Sequence, residues 1–401
     1  MAAPLISVSD ARALVLDRVT PQPPQSVAVA WAQNRVLAEP VHAAADTPPF
    51  PSSAMDGYAL AAGPAGRRLT LVGESRAGRP SDRAPGPQEA IRVSTGAAVP
   101  DGAEAVIPQE NVTVDGDVVT TNTDVAAGQH IRRPGEDMRA GAEVLPAGTR
   151  LNGIGLGAVV AAGRGEVTVS PRPHVAVLCT GDELRAPGEP LGPGEIHNSN
   201  ALMLAGLAAS AGAIVDEPER LPDDREATLR GIERAIERAG VVVISGGVSV
   251  GPHDHVKPAL AELGVGEVFW SVALQPGKPT WFGVSPGGAL VFGLPGNPVS
   301  AAVTYSLFVA PALNALQGLR DDGGFPAEAV LGHEVRRNPR REMALRVRLE
   351  RGEATPVAIV NGAQGSHVLS SLVGADALAM IAPGEGNAAA GTRVGLMPLA
   401  G

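Results

Sequence analysis

The sequence predicts a central α/β domain with a parallel sheet covered on both faces, flanked on each side by β-rich segments. Three observations carry this. Between His174 and Leu319 the short apolar runs VAVLC (175–179), VVVIS (241–245) and ALVFG (289–293) alternate with helical stretches, and buried strands alternating with helices build doubly covered parallel sheets. From about Thr47 to Asn122, and again after Asp322, short β-type runs replace that rhythm. Fifty glycines and 36 prolines are spread along the 401 residues, which gives many turns and no single linker.

Taken in order, Ser7 or Ser9 with Asp10 caps a first helix carrying Ala13, Leu14, Leu16 and Val19. Ser26 caps a second, carrying Val27, Val29, Ala30 and Leu37. The runs RLTLVG, AIRVS, AEAVIPQ and VTVDGDVV read as strands, with Asp115-Gly116 as a hairpin turn. Leu151 to Ala162 reads as a small-residue helix and Glu166 to Val169 as a strand, and this stretch is expected to pack with the first helices around the β insert. Helices follow at about Asn200–Ala211, at 223–239 with Leu229, Ile232, Ile236 and Ala239 on one face, near 254–263 and at 298–316. Asp223-x-x-Glu226 resembles a capping box. The runs AEAVLGHEV, MALRVRLE, PVAIV, HVLSS, ALAMIAP and RVGLMPL end the chain. The domains expected are a helical region (1–42 and 136–171), an inserted β domain (43–135), the α/β domain (172–320) and a C-terminal β domain (321–401).

Composition removes several classes of function. The net charge of −10 argues against a nucleic-acid backbone binder. One cysteine, Cys179, permits no disulfide, redox pair or zinc cluster and fits a reducing cytoplasm. The N-terminus has no basic stretch before its apolar residues, so no signal peptide is expected. Val299 to Leu316 is interrupted by Ser300, Thr304, Ser306, Pro311 and Asn314 and reads as a buried helix, not a membrane span. A soluble cytoplasmic protein is expected.

Each α/β strand empties into a loop of unusual composition: Thr180-Gly181-Asp182-Glu183-Leu184, Ser245-Gly246-Gly247-Val248-Ser249-Val250-Gly251 with Asp254 behind it, and Gly293-Leu294-Pro295-Gly296-Asn297-Pro298. Ligands of open α/β sheets bind outside the carboxyl ends of the strands, and glycine lets backbone N–H groups approach an anion. A tight turn alone explains glycine in one loop; three such loops point to a ligand. Glu183, Asp223, Asp224 and Asp254 supply carboxylates nearby, as helix caps or as partners of Mg²⁺ bound to substrate phosphates. No Walker sequence, dinucleotide glycine fingerprint or zinc-hydrolase H-E-x-x-H is present. Lysine occurs only at 257 and 278, and Lys278 lies in the rigid turn Pro276-Gly277-Lys278-Pro279, which suggests a positioned cation.

These motifs, with Ser53-Ala54-Met55-Asp56-Gly57-Tyr58-Ala59, Ser94-Thr95-Gly96-Ala97 and Ile131-Arg132-Arg133-Pro134-Gly135-Glu136-Asp137, occur in an order that resembles the MoeA family of molybdopterin molybdenumtransferases, which includes the E domain of gephyrin. The resemblance spans nearly the whole chain. It implies an elongated homodimer whose 1–42 and 136–171 segments form a linker and dimerisation region, a molybdopterin-binding α/β domain, and a β-barrel at 321–401. The reaction implied takes adenylylated molybdopterin and molybdate as substrates, releases AMP and is supported by Mg²⁺, with a molybdopterin adenylyltransferase as the upstream partner. The family pattern places functional groups at Asp56, Thr95, Asp137, Glu183, Asp224, Asp254 and Lys278, with Glu183, Asp224 and Asp254 toward the metal. It assigns binding to Gly181, Ser245, Gly246, Gly247, Ser249, Gly296, Asn297 and Pro298. Its oxyanion pocket maps to Lys278, Pro279, Arg346 and Ser366, in a cleft completed by the partner subunit's β insert. Many relatives have lysine where this chain has Gln275, so one cation is removed from that pocket, and lysine restored at 275 is expected to recover part of any affinity lost at Lys278. Adenylyltransferase or CinA-like nucleotide chemistry, to which the α/β module is also similar, and a non-catalytic scaffold are the alternatives; SAMDGYA and IRRPGED argue against the first and the retained carboxylates against the second.

Overall fold

The computed structural model describes residues 5–248, 254–319, 325–352 and 354–399. They fall into two compact units, Ser26–Gln33 with Glu39–Val169, and Met1–Gln25 with Asn34–Ala38 and Ser170–Gly401.

The smaller unit is built on a six-stranded sheet in the order Ala105–Pro108, Gly57–Leu60, Glu89–Val93, Arg68–Ser75, Val118–Thr121, Val112–Asp115. Apolar residues cover both faces, Tyr58, Leu60, Leu69 and Ile107 on one and Ala59, Ile91, Val93 and Val106 on the other. The hairpin is present, with Asp115 opposite Val118. Its two-residue loop is therefore Gly116-Asp117, one position later than expected, with glycine where φ is +58°. The small-residue helix is Gly153–Ala161, capped by Asn152, whose Oδ1 accepts from Gly155 N at 2.8 Å. The second helix expected near Ser26 is not formed. Gln25–Ala28 is a strand, followed by a 3₁₀ turn at Val29–Trp31. The Ser26 hydroxyl donates to Glu166 at 3.0 Å instead of capping, and β-branched Val27 favours the extended form.

The larger unit holds the α/β domain. Its sheet runs Ile214–Val215, His174–Thr180, Val241–Ser245, Leu290–Leu294, Trp281–Val284, Gly266–Trp270, with Glu219–Leu221 also pairing to His174–Thr180. The strands from Ile214 to Leu294 are parallel, but Trp281–Val284 pairs antiparallel with both of its neighbours. An all-parallel sheet would need a crossover of a dozen or more residues at each step. Only Ser285–Ala289 separates Val284 from Leu290, which forces the hairpin-like return. Alternation along the strands covers both faces as expected. Val175, Val177, Val243 and Phe292 face one core with helices Ser199–Ser210 and Pro298–Leu316. Ala176, Leu178, Val242 and Ile244 face the other with Arg225–Arg238 and Val256–Glu262. Pro298–Leu316 is apolar and long enough to cross a bilayer, yet 72% of its apolar window is buried in this core, which is the reading its polar interruptions indicated.

Two other expectations change here. The first helix, Val8–Leu16, is capped by Ser7 Oγ as anticipated, but Val8, Ala11 and Val15 insert it into the α/β core, so it belongs to this unit and not with Gly153–Ala161. The residue that caps Arg225–Arg238 is Asp224, not Asp223: Asp224 Oδ1 accepts from Ala227 N at 2.8 Å.

The C-terminal strands close into a five-stranded barrel, Glu342–Glu350, Val357–Val360, Ala327–Leu331, Arg393–Pro398 and Ala377–Ile381, the last returning to the first. Leu274–Gln275, from the α/β domain, adds in parallel to the start of Glu342–Glu350. HVLSS is not a strand; it ends in the 3₁₀ turn Leu369–Ser371, because Ser371 Oγ is taken up by Val368 O and by the guanidinium of Arg346.

Candidate functional site

In the smaller unit three motifs distant in sequence converge. Ser52–Ser53 pairs with Ile131–Arg132, so the strand leading to Asp56 lies beside the one leading to Asp137. Ser53 N donates to Ala97 O and Gly96 N to Ser53 O, which brings in the Ser94–Ala97 turn. Asp56 Oδ1 accepts from Thr95 N at 2.7 Å and from Thr95 Oγ1 at 3.2 Å. The carboxylate is exposed, and Thr95 fixes its direction. Asp137 is also exposed and lines a cavity of about 480 Å³ with Thr47, Pro48, Ser52, Arg132 and Glu136.

In the larger unit the three glycine loops meet at the carboxyl edge of the sheet. A Cβ on Gly246 would lie 2.7 Å from Thr180 Oγ1, and one on Gly247 2.6 Å from Val256 Cγ2; both residues have positive φ, at +94° and +66°. Side chains are therefore excluded where the second loop crosses the first. A Cβ on Gly181 would lie 2.3 Å from Glu183 Oε2, so the Glu183 carboxylate is folded across the end of its own strand. Gly181 N and Gly246 N are spent on Leu221 O and Leu294 O. The amides of Gly247, Gly296 and Asn297 have no intramolecular acceptor among the described residues. They are among the donors left for an anion, beside Pro298 at the first turn of its helix. The next amide, Val299 N, is taken by Ser366 O at 3.1 Å.

Asp223 bonds to the first loop, its N donating to Asp182 Oδ1 at 3.3 Å and its Oδ2 accepting from Asp182 N at 3.4 Å. Asp254 stands two residues before Val256–Glu262. Ser249 lies outside the described residues. No group of three or more His, Cys, Asp or Glu side chains converges as a metal site among the described residues. Asp224, one of the three carboxylates expected at the metal, has one oxygen committed to capping. Asp224→Asn keeps a cap of equal quality while removing the charge, so stability within about 0.5 kcal/mol of wild type is expected in urea unfolding, against a loss of about 1 kcal/mol for Asp224→Ala.

The Lys278 turn is shaped by its neighbours. Gly277, at φ +122°, would place a Cβ 2.6 Å from Thr304 Cγ2 and 2.9 Å from Leu274 Cδ2. Lys278 O accepts from Val272 N and Thr280 N, and the side chain is exposed beside Pro279. Arg346 is not open to solvent: it is 0% exposed, and its guanidinium donates only to neutral groups, Ser371 Oγ at 3.0 Å and the carbonyls of Ala344, Ala363 and Gly365 at 3.3–3.4 Å. Burial lowers its pKa to about 10. As it stands, Arg346 holds the 363–366 loop, and through it Ser366, whose Oγ accepts from Asn297 Nδ2 at 3.1 Å.

Sequence reasoning treated Asn200 only as the start of a helix. Its Nδ2 donates to Ser245 Oγ at 2.8 Å and to Gly296 O at 2.7 Å, tying two of the three loops together, while its buried Oδ1 has no partner. Its position just after the Ile196–His197 strand, in the triplet Asn198-Ser199-Asn200, was the available signal. Lys257 is structural: its ammonium sits 3.8 Å from the centre of the Trp270 ring, and Trp270 Nε1 holds Val248 O at 3.2 Å. Cys179 is buried in the sheet, with a thiol pushed up to about 11 by burial, so it is no thiolate nucleophile.

Open backbone amides, flanking carboxylates and a turn lysine gather at the carboxyl edge of an α/β sheet, the edge at which sheets of this class carry their ligand sites. Residues 6–163, 176–315 and 328–399 match the families described as "MoeA N-terminal region (domain I and II)", "Probable molybdopterin binding domain" and "MoeA C-terminal region (domain IV)". The chain is 35% identical to the molybdopterin molybdenumtransferase of Haemophilus influenzae over 98% of each sequence, and 36% identical to molybdopterin molybdenumtransferase 2 of Mycobacterium tuberculosis over 97% of this chain and 98% of that one. The crystal structure of the molybdopterin biosynthesis MoeA protein from Pyrococcus horikoshii superposes with a TM-score of 0.80 at 30% identity, covering 98% of this chain and all of that one. The chain belongs to the MoeA family.

Proposed function

We propose that the protein is a molybdenumtransferase that accepts molybdate and adenylylated molybdopterin, places molybdenum on the pterin dithiolene and releases AMP. The observation that carries this reading is the end-to-end match to molybdenumtransferases in a chain that keeps open amides at Gly247, Gly296 and Asn297 in its strand-end loops. The sulfur ligands belong to the substrate, which accords with a protein whose one cysteine is buried and protonated. Both substrates are anions and the chain carries −10, so the amides and Lys278 must reverse the sign of the field locally.

The oxygen-only donor set suits Mg²⁺, which takes one or two carboxylates and completes its shell with water and phosphate. Glu183 and Asp254 would hold it, with Asp224 contributing only its uncapped oxygen. Bound there, the metal supplies charge neutralisation at the phosphate oxygens. The remaining tasks fall to the chain itself: the strand-end amides fix the phosphate, Ser245 and Asn200 keep the loops at their spacing, and Lys278 receives the oxyanion. Purified protein given adenylylated molybdopterin, molybdate and Mg²⁺ is expected to release AMP; no release with any divalent metal would sink the reading.

A cytoplasmic homodimer supplied by a molybdopterin adenylyltransferase is part of the same proposal. In support of the dimer, the smaller unit leaves Trp31, Ile154 and Val160 at 80%, 84% and 61% exposure, an apolar surface of the kind covered by a partner. Sedimentation equilibrium that returned a monomer would remove the dimer.

A further inference from the structure

The Lys278 turn begins at Gln275, and the barrel reaches it there. Gln275 Oε1 accepts from Asn338 Nδ2 and lies 3.5 Å from Arg341 Nη2. The same Asn338 uses its Oδ1 to hold the backbone N–H groups of Arg340 and Arg341, at 2.9 and 3.0 Å. One asparagine thus clamps the segment Arg336-Arg337-Asn338-Pro339-Arg340-Arg341 onto the turn, and strand pairing of Gln275 with Met343 fixes the register. Four arginines in six residues stand out in a chain of net charge −10, and none of them belongs to an ion pair among the described residues. Arg341 is half-buried and held beside a turn that carries one of the two lysines in the protein.

We propose that Arg341 is an oxyanion-binding residue of the Lys278 pocket, and that Gln275 is the residue that places it. This rests on reading the Lys278 turn as the oxyanion site. A lysine at 275 has three donors and no acceptor, so it cannot receive Asn338 and repels Arg341. A glutamine receives both. The cation absent at 275 is therefore moved to the barrel, where its planar fork can present two parallel N–H groups to a tetrahedral dianion such as molybdate. Arg346, also placed in this pocket by the family pattern, is buried and already donates to Ser371 Oγ and to the carbonyls of Ala344, Ala363 and Gly365.

The test is molybdate binding to the intact protein by calorimetry, with tungstate and sulfate as further probes. Arg341→Gln is expected to weaken molybdate binding about tenfold, Arg341→Lys to restore part of the affinity, and Arg348→Gln, an exposed arginine on the strand that follows Arg341, to change nothing. Lys278→Gln separates the two levels. Weakening by Lys278→Gln with no effect of Arg341→Gln overturns the assignment of Arg341 alone, whereas no effect of either overturns the pocket itself. An equal loss in Arg341→Gln and Arg341→Lys, both with native melting temperatures, also overturns it, because a charged substitute should retain part of the contact.

Discussion

Lys278→Gln is expected to raise the molybdate concentration for half-maximal AMP release by one to two orders of magnitude while leaving the affinity for the adenylylated pterin nearly unchanged. A charge-assisted hydrogen bond to an anion is worth about 1.5–3 kcal/mol, which sets that range. The substitution should leave the fold intact, because the turn is held by the Lys278 carbonyl and by Gly277 against Thr304, not by the exposed ammonium. Adding Gln275→Lys was expected from the sequence to recover part of the loss. The Arg341 assignment predicts the opposite: a lysine at 275 would lose the Asn338 contact and push Arg341 away, so the double variant should be no better than Lys278→Gln. Initial rates of AMP release across a molybdate series measure both. An unchanged half-saturation in Lys278→Gln would leave the lysine an ordinary turn residue.

Gly57→Ala should destabilise the smaller unit by about 3 kcal/mol or more, as expected when added volume meets backbone that cannot yield. A Cβ at position 57 would lie 2.0 Å from Ile107 O and 2.9 Å from Ile107 C, inside the ladder that pairs Gly57 with Pro108. Relief requires the Gly57–Leu60 strand to leave Ala105–Pro108, and the preceding Asp56 would then lose its register with Thr95. Hydrogen exchange at Tyr58 and Ile107, which face each other in that ladder, reads the local loss directly. Gly153→Ala is the control, since nothing lies within 4 Å of its Cβ and it sits in a first helical turn where alanine is favoured. Native protection at Tyr58 in Gly57→Ala would show that the ladder accommodates the methyl.

Much of the fold was legible because period and punctuation agreed. VVVIS appears as the strand Val241–Ser245 and the Glu166–Val169 run as a strand of the same bounds. The Pro298–Leu316 helix was readable as core from its polar interruptions, and the first helix from its serine cap. The failures share a cause. Ser26 and HVLSS looked like a cap and a strand by local preference, but Glu166 claimed the first hydroxyl and Arg346 the second, partners 140 and 25 positions away. The antiparallel end of the sheet depended on a connection too short for a crossover, a fact visible only once both strand limits were known.

By itself the sequence determined the chemistry available to this protein: glycine loops at three strand ends, carboxylates behind them, one turn lysine and no usable cysteine. Those are properties of residue type and near spacing, which a linear chain displays openly. Tertiary structure alone decided how the groups are divided. It spent Gly181 N, Gly246 N and Val299 N inside the fold and left Gly247, Gly296 and Asn297 open; it enclosed Arg346 and brought Arg341 to Gln275. Whether a polar group serves a ligand depends on whether another part of the chain has already satisfied it, and those partners lie too far along the sequence for any local pattern to reveal.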